Sequence, residues 1–274
     1  MTDSARKGIK ERLLAGETLV GTFIQTPHPV ICEFMGAMGL DFLCLEAEHS
    51  AMGIETITAL VAATSRTESA PLVRLANNDW DLVAGALDSG AEGVICPRVN
   101  SGTEAETFVR SALYPPVGDR GIGPGRVTGY GLNSGPAYRA QANQTNLVAA
   151  QVETRAAIEH LDEILATPGL DLIFVGPADL ASSLGIDGGF DHPDLRAAIQ
   201  DIVDRAHAAG KKTGIFAGNA AQAAYWVGRG VQLILLASDL IFLIGGAAAQ
   251  QAELKRLIAE QQPAKKTRTT KKAK

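Results

Sequence analysis

A single (β/α)8 TIM barrel of the α/β class is the fold this sequence predicts, and three observations carry the prediction. Eight short β-rich runs alternate with segments of helical periodicity from one end of the chain to the other. Strand followed by helix, repeated, makes a parallel sheet, because parallel neighbours need a crossover connection. A count of eight and a length of 274 residues suit closure into a barrel, for which about 250 residues is typical. The alternative is an open doubly wound sheet, but its usual fingerprint is missing. Where GxGxxG would open the first helix, the chain reads QTPHPVICEF.

Taken in order, the first strand is VGTFIQT (20–26), and the helical stretch from His28 to Met38 stops at Gly39. DFLCLEAE (41–48) follows, then a helix from Gly53 to Ser65. PLVRL (71–75) is the third strand, and Asn78 or Asp79 is of the type that caps the next helix, Trp80 to Ser89, which ends at Gly90. GVICPRV (93–99) precedes a helix from Thr103 to Leu113. Tyr114 to Pro136 reads as a long loop containing GIGPGRVTGYG, and structureless loops of that length in compact domains are usually functional. LVAAQVE (147–153) leads into a helix from Thr154 to Ala166, and LIFVGP (172–177) is followed by His192 to Ala209, ending at Gly210. KTGIFAG (212–218) with Ala220 to Gly228, then LILLAS (233–238) with Leu240 to Glu260, complete the series. The barrel domain therefore spans 1–262, and 263–274, opening at Pro263 and free of large apolar residues, reads as a disordered basic tail.

Composition narrows the function classes. The chain is 46% hydrophobic and 20% charged, with a net charge of −5. Its last ten residues hold six basic groups and no acid, so the body is more acidic than the whole. An acidic body argues against nucleic acid as the main ligand, although a basic tail can tether a protein to phosphate-rich surfaces. No apolar run reaches membrane-spanning length, and the N-terminus lacks the apolar stretch of a signal peptide. Cys32, Cys44 and Cys96 lie far apart in apolar segments without zinc spacing, as buried thiols of a cytoplasmic protein do.

In a barrel, reactive groups sit at the carboxyl ends of strands, and here those ends are polar. In strand order they are Gln25; Glu46, Glu48 and His49; Arg74; Arg98; Gln151 and Glu153; Asp179; Asn219; and Asp239. Asp179 and Asp239 also suit helix N-caps. Glu153 ends an apolar strand, and a buried anion must be paired or bind a metal. With Asp179 from the neighbouring strand it makes a pair suited to Mg²⁺ or Mn²⁺ and several waters; a salt bridge to arginine is the structural alternative. Arg74 is a partner for these acids or a clamp for an anionic substrate. His49 is a core histidine or a general base, whereas His28, His160, His192 and His207 fall at helix starts or on helical faces. If the second strand stays extended, Glu46 and Glu48 point to opposite sides, so only one faces the pore. Glu48 is then the candidate beside a metal, and Glu46 the candidate to support His49.

AEH at 47–49, VR at 73–74, YPPVGDRGIGPGR at 114–126, QVET at 151–154 and VGPADL at 175–180 resemble, in that order, the metal-dependent pyruvate aldolases of the HpcH/HpaI group. The similarity runs from about Gly21 to about Ile258. The resemblance implies a hexamer of barrels with the last helix exchanged between neighbours, and reversible cleavage of a 4-hydroxy-2-oxo acid to pyruvate and an aldehyde. It implies a divalent cofactor, Mg²⁺, Mn²⁺ or Co²⁺, held by Glu153 and Asp179. Arg74 would stabilise the enolate, His49 would be the base and Asp88 would orient it. Gln151, Gly176, Pro177, Ala178 and Phe23, with Arg74, would bind substrate. Phe23 stands where relatives often carry tryptophan, and Glu46 where they often carry aspartate. The aldehyde side would be built from Phe23, the 121–135 loop and the last helix. Lys211 and Lys212 open the seventh strand at its amino end, away from the mouth, which agrees with chemistry that needs no Schiff base. Two other readings stand beside the aldolase: an oxaloacetate decarboxylase or related carbon–carbon lyase, and a non-catalytic barrel that binds a carboxylate.

Overall fold

The computed structural model describes residues 6–261, and its eight strands close into a parallel barrel in sequence order. The strands are β1 (Leu19–Ile24), β2 (Phe42–Glu46), β3 (Ala70–Arg74), β4 (Gly93–Cys96), β5 (Leu147–Val152), β6 (Leu172–Val175), β7 (Lys212–Ala217) and β8 (Leu233–Ser238). Alternate residues fill the cylinder, among them Phe23, Phe42, Ile95, Phe174 and Leu235, so it is a packed core. The intervening residues, such as Leu43, Val73, Val94 and Ile173, face the helical layer.

That layer contains α1 (Ile9–Leu14), α2 (Pro29–Gly36), α3 (Ile54–Thr64), α4 (Trp80–Asp88), α5 (Gly102–Ala112), α6 (Pro136–Thr145), α7 (Arg155–Glu159), α8 (Leu161–Leu165), α9 (Pro177–Leu184), α10 (Pro193–Ala208) and α11 (Ala220–Val227). Residues through Asp239 form one compact unit. The remainder of the last helix, α12 (Asp239–Gln261), belongs to a second. On that helix Leu240, Ile241, Phe242, Leu243 and Ile244 are exposed. The basic tail expected at 263–274 lies outside the described residues.

Four features depart from the sequence reading. The amphipathic start contains α1, whose Ile9 and Leu13 are buried in the same cluster as the barrel interior. Basic residues on it and just before it reach acids that immediately precede even-numbered strands: Arg6 pairs with Glu92, Lys10 with Asp171 at 2.8 Å, and Arg12 with Asp41 at 2.7 Å. The expected helix at 154–166 breaks at His160 into α7 and α8. Two further helices, α6 and α9, both begin on a proline at their first turn, where its missing N–H costs nothing. The long loop keeps its expected extent between α5 and α6 but contains one 3-10 turn, Arg126–Thr128.

The polar strand ends settle several open alternatives. Asp239 accepts from the backbone N–H groups of Gln25 at 2.9 Å and Thr26 at 3.0 Å, tying the end of β8 to the end of β1 rather than capping its own helix. Asn219, His28 and His192 are helix N-caps. All three cysteines are buried and free.

Candidate active site at the carboxyl end of the barrel

β2 and β3 pair with Glu46 opposite Arg74 in register. The Arg74 Nε donates to Glu46 Oε2 at 2.7 Å, and its Nη2 is ion-paired to the same oxygen. The chain turns directly after Glu46, and this bend corrects the extended-strand expectation. Both acids reach the arginine, Glu48 Oε2 lying 3.3 Å from Arg74 Nη1. The other Glu46 oxygen accepts from the backbone N–H groups of Glu48 at 2.8 Å and His49 at 3.1 Å, so one fully buried carboxylate holds both the arginine and the turn that carries the histidine. Beneath the guanidinium lies Phe23, with Arg74 Cζ 4.3 Å from its ring centroid. Burial alone would draw Arg74 down, but Glu46 and Glu48 outweigh it and hold the cation above its usual range.

The second half of the site comes from β4, β5 and β6. Glu153 is 1% exposed, and its carboxylate accepts from the Arg98 N–H at 2.9 Å and from the Gln151 amide. A Cβ on Gly176 would lie 2.5 Å from Glu153 Oε2, so only glycine lets the end of β6 come this close to the carboxylate. Pro177, Ala178 and Asp179 form the first turn of α9, with Ala178 and Asp179 exposed. Burial pushes the carboxyls of Glu48 and Glu153 upward, and the charge of Asp179 pushes both further. Three acids from β2, β5 and β6 thus repel one another across one opening.

This arrangement fits a hard divalent cation. The donors are carboxylate oxygens, their mutual repulsion is what a cation relieves, and Glu48 Oε2 and Gln151 Oε1 are buried without a hydrogen-bond partner. Among the described residues no three His, Cys, Asp or Glu side chains are grouped to hold an ion unaided, so water or substrate oxygens would complete its shell.

His49 stands at the rim with 51% of its side chain exposed and its Nε2 3.7 Å from Glu48 Oε2. The expected partnership of Asp88 with His49 is not formed in the described chain. Asp88 instead accepts from Arg120 Nη2 at 2.5 Å. Arg120 is fully buried, with its Cζ 4.5 Å from the Tyr114 ring centroid. Together with Arg126, which donates to Ser89 O at 2.9 Å, this pair fastens the glycine-rich loop to the end of α4. Phe23 likewise supports the arginine from within the core, being only 5% exposed. The sequence reading missed Phe216 and Phe190, which continue the aromatic run from Phe23 at centroid separations of 6.0 and 6.3 Å. Alternation along KTGIFAG would have placed Phe216 inward, but nothing local marks Phe190.

Comparison with known proteins gives a consistent picture. The profile of the HpcH/HpaI aldolase/citrate lyase family matches residues 19–245. A 4-hydroxy-2-oxo-heptane-1,7-dioate aldolase of Salmonella dublin is 33% identical over 247 residues, covering 90% of this chain and 94% of its own. Among solved structures, an HpcH/HpaI aldolase/citrate lyase family protein from Burkholderia cenocepacia J2315 superposes with a TM-score of 0.85 at 32% identity, over 90% of this chain and 98% of that one. The HpcH/HpaI aldolase from Desulfitobacterium hafniense DCB-2 gives 0.83 at 31% identity, over 94% and 98%.

Proposed function

The chain belongs to the HpcH/HpaI aldolase/citrate lyase family and is an aldolase, a carbon–carbon lyase; from its site we propose that it cleaves a 4-hydroxy-2-oxo acid reversibly to pyruvate and an aldehyde, with a divalent cation between Glu153 and Asp179. The observation that carries this reading is Arg74, fixed by a buried carboxylate, beside three acids whose charges repel one another. Mg²⁺, Mn²⁺ or Co²⁺ bound there supplies Lewis-acid character to the keto oxygen of the substrate.

The residues of the chain do the rest. Arg74 presents positive charge where negative charge grows as the C3–C4 bond breaks, and Glu46 and Phe23 keep it from turning away. Gln151 and the Gly176–Ala178 backbone line the keto-acid end. His49, at the rim, takes the proton of the C4 hydroxyl as that carbon becomes an aldehyde, and protonation at C3 then completes pyruvate; condensation runs both transfers in reverse. Glu48 lies 3.7 Å from the His49 Nε2, and Glu46 fixes its backbone. Asp88 serves this chemistry indirectly, by anchoring the 114–126 loop through Arg120.

The chain works as a cytoplasmic homo-oligomer, a hexamer by its resemblance to the family; the exposed apolar residues of α12 support association, and among the described residues no helix is long and apolar enough to cross a membrane. Incubation with a 4-hydroxy-2-oxo acid tests the reading. Pyruvate and aldehyde should appear together, stop with EDTA and resume with Mg²⁺ or Mn²⁺. Turnover that survives complete chelation would remove the cation from the proposal, and pyruvate formed from oxaloacetate by a protein that releases no aldehyde from the 4-hydroxy-2-oxo acid would point to decarboxylation.

A further inference from the structure

The turn that follows β4 breaks two rules at once. Val94 and Cys96 face the helical layer and Ile95 faces the interior, so strict alternation would send residue 98 outward. Instead Val99 enters the outer core and Arg98 is exposed, because Arg98 adopts φ 54°, the left-handed region that a long side chain rarely occupies. A conformation of this kind persists only where its surroundings enforce it.

Those surroundings are specific, and they lead to the end of β5 and the first turn of α5. Arg98 N–H donates to Glu153 Oε1 at 2.9 Å, and Val99 N–H donates to Gln151 O at 3.2 Å. Asn100 closes the turn: its Nδ2 donates to Arg98 O at 2.8 Å, and its Oδ1 accepts from the Thr154 hydroxyl. Its own N–H is held by Glu104 Oε2 at 2.7 Å. The side chain of Asn100 therefore bridges the strained residue to Thr154, directly after Glu153, while the Val99 N–H holds Gln151 before it.

We propose that Asn100 is a positioning residue for Glu153, locking the left-handed turn that aims the Arg98 N–H at the carboxylate. The proposal rests on Glu153 being a cation ligand. With one oxygen held by this N–H and the other by Gln151, the carboxylate is fixed before a cation arrives. Loss of the lock lets residue 98 relax, and the carboxylate loses a charge-assisted hydrogen bond.

The test measures Mn²⁺ binding to metal-stripped protein by calorimetry, with thermal unfolding of the metal-free form alongside. Asn100→Ala should weaken Mn²⁺ binding by about tenfold or more. Adding Arg98→Gly to that variant, which keeps the N–H but removes the side chain that disfavours a left-handed turn, should restore most of the affinity. Asn100→Asp keeps the shape but loses the donor, should shift affinity in the same direction, and serves as the comparison if the alanine variant does not fold. Wild-type affinity in Asn100→Ala, or a lower unfolding temperature with unchanged affinity, overturns the proposal. So does a double variant that binds no more tightly than the single one. A wild-type protein that binds no Mn²⁺ overturns the cation reading itself and takes this inference with it.

Discussion

The side chain of Arg74 is held on several sides by its own protein. Two positions on its guanidinium go to Glu46, Phe23 supports one face, and Glu48 stands 3.3 Å from the remaining nitrogen. Truncation to alanine would strand Glu46 as a buried, unpaired anion, a change that itself costs about 3–5 kcal/mol of stability. Arg74→Lys is the cleaner probe, because it keeps the charge but cannot supply the planar fork. It should lower kcat for retro-aldol cleavage about 100-fold, read as initial rates of pyruvate release, with the circular dichroism spectrum retained. At this scale the sequence was informative about identity and less so about contacts. Glu46, His49, Arg74, Gln151 and Glu153 all fall at strand ends, where their chemistry could be anticipated. Alternation misjudged Glu48 because it assumes an extended chain, and the chain bends after Glu46. The Asp88–Arg120 pair joins residues 32 positions apart across a loop, and no local pattern encodes such a bond.

Among the elements, α1 has an importance out of proportion to its 6 residues. Leu13 is completely buried among interior residues of the barrel, so Leu13→Ala removes apolar contact and leaves a void in a region with little freedom to collapse. The expected loss is about 2–5 kcal/mol, measured by urea unfolding, whereas neutralising Arg12 alone should cost roughly 1 kcal/mol or less because that pair is partly solvated. A smaller effect for Leu13→Ala than for the charge would mean that ion pairs, not apolar burial, hold the helix. Helices with a broad apolar face were visible in advance, as α5 and α10 show. The overlooked ones share a cause. α6 buries only Ala142, α9 runs directly on from a strand, and α1 has just two turns, so none offers a full period of apolar positions.

The whole molecule was the most legible scale, since eight alternating strands and helices leave few closures open, and the barrel formed in sequence order is the simplest of them. Side-chain layers and loop docking depend on pairs distant in sequence and had to await the fold. One property of the cylinder bears on how the reaction proceeds. α1 seals the amino end and the interior is filled, while Glu153 and Arg74 are buried and His49 stands at the rim. The barrel unit is thus closed at its amino end, and by the proposed site its two products would leave in order of depth. An aldehyde formed beside His49 should depart first, and pyruvate, seated nearer the buried Arg74 and Glu153, last. Product-inhibition kinetics should therefore show pyruvate competing with the 4-hydroxy-2-oxo acid for the empty enzyme while the aldehyde gives a mixed pattern; the reverse assignment would mean that traffic does not follow depth.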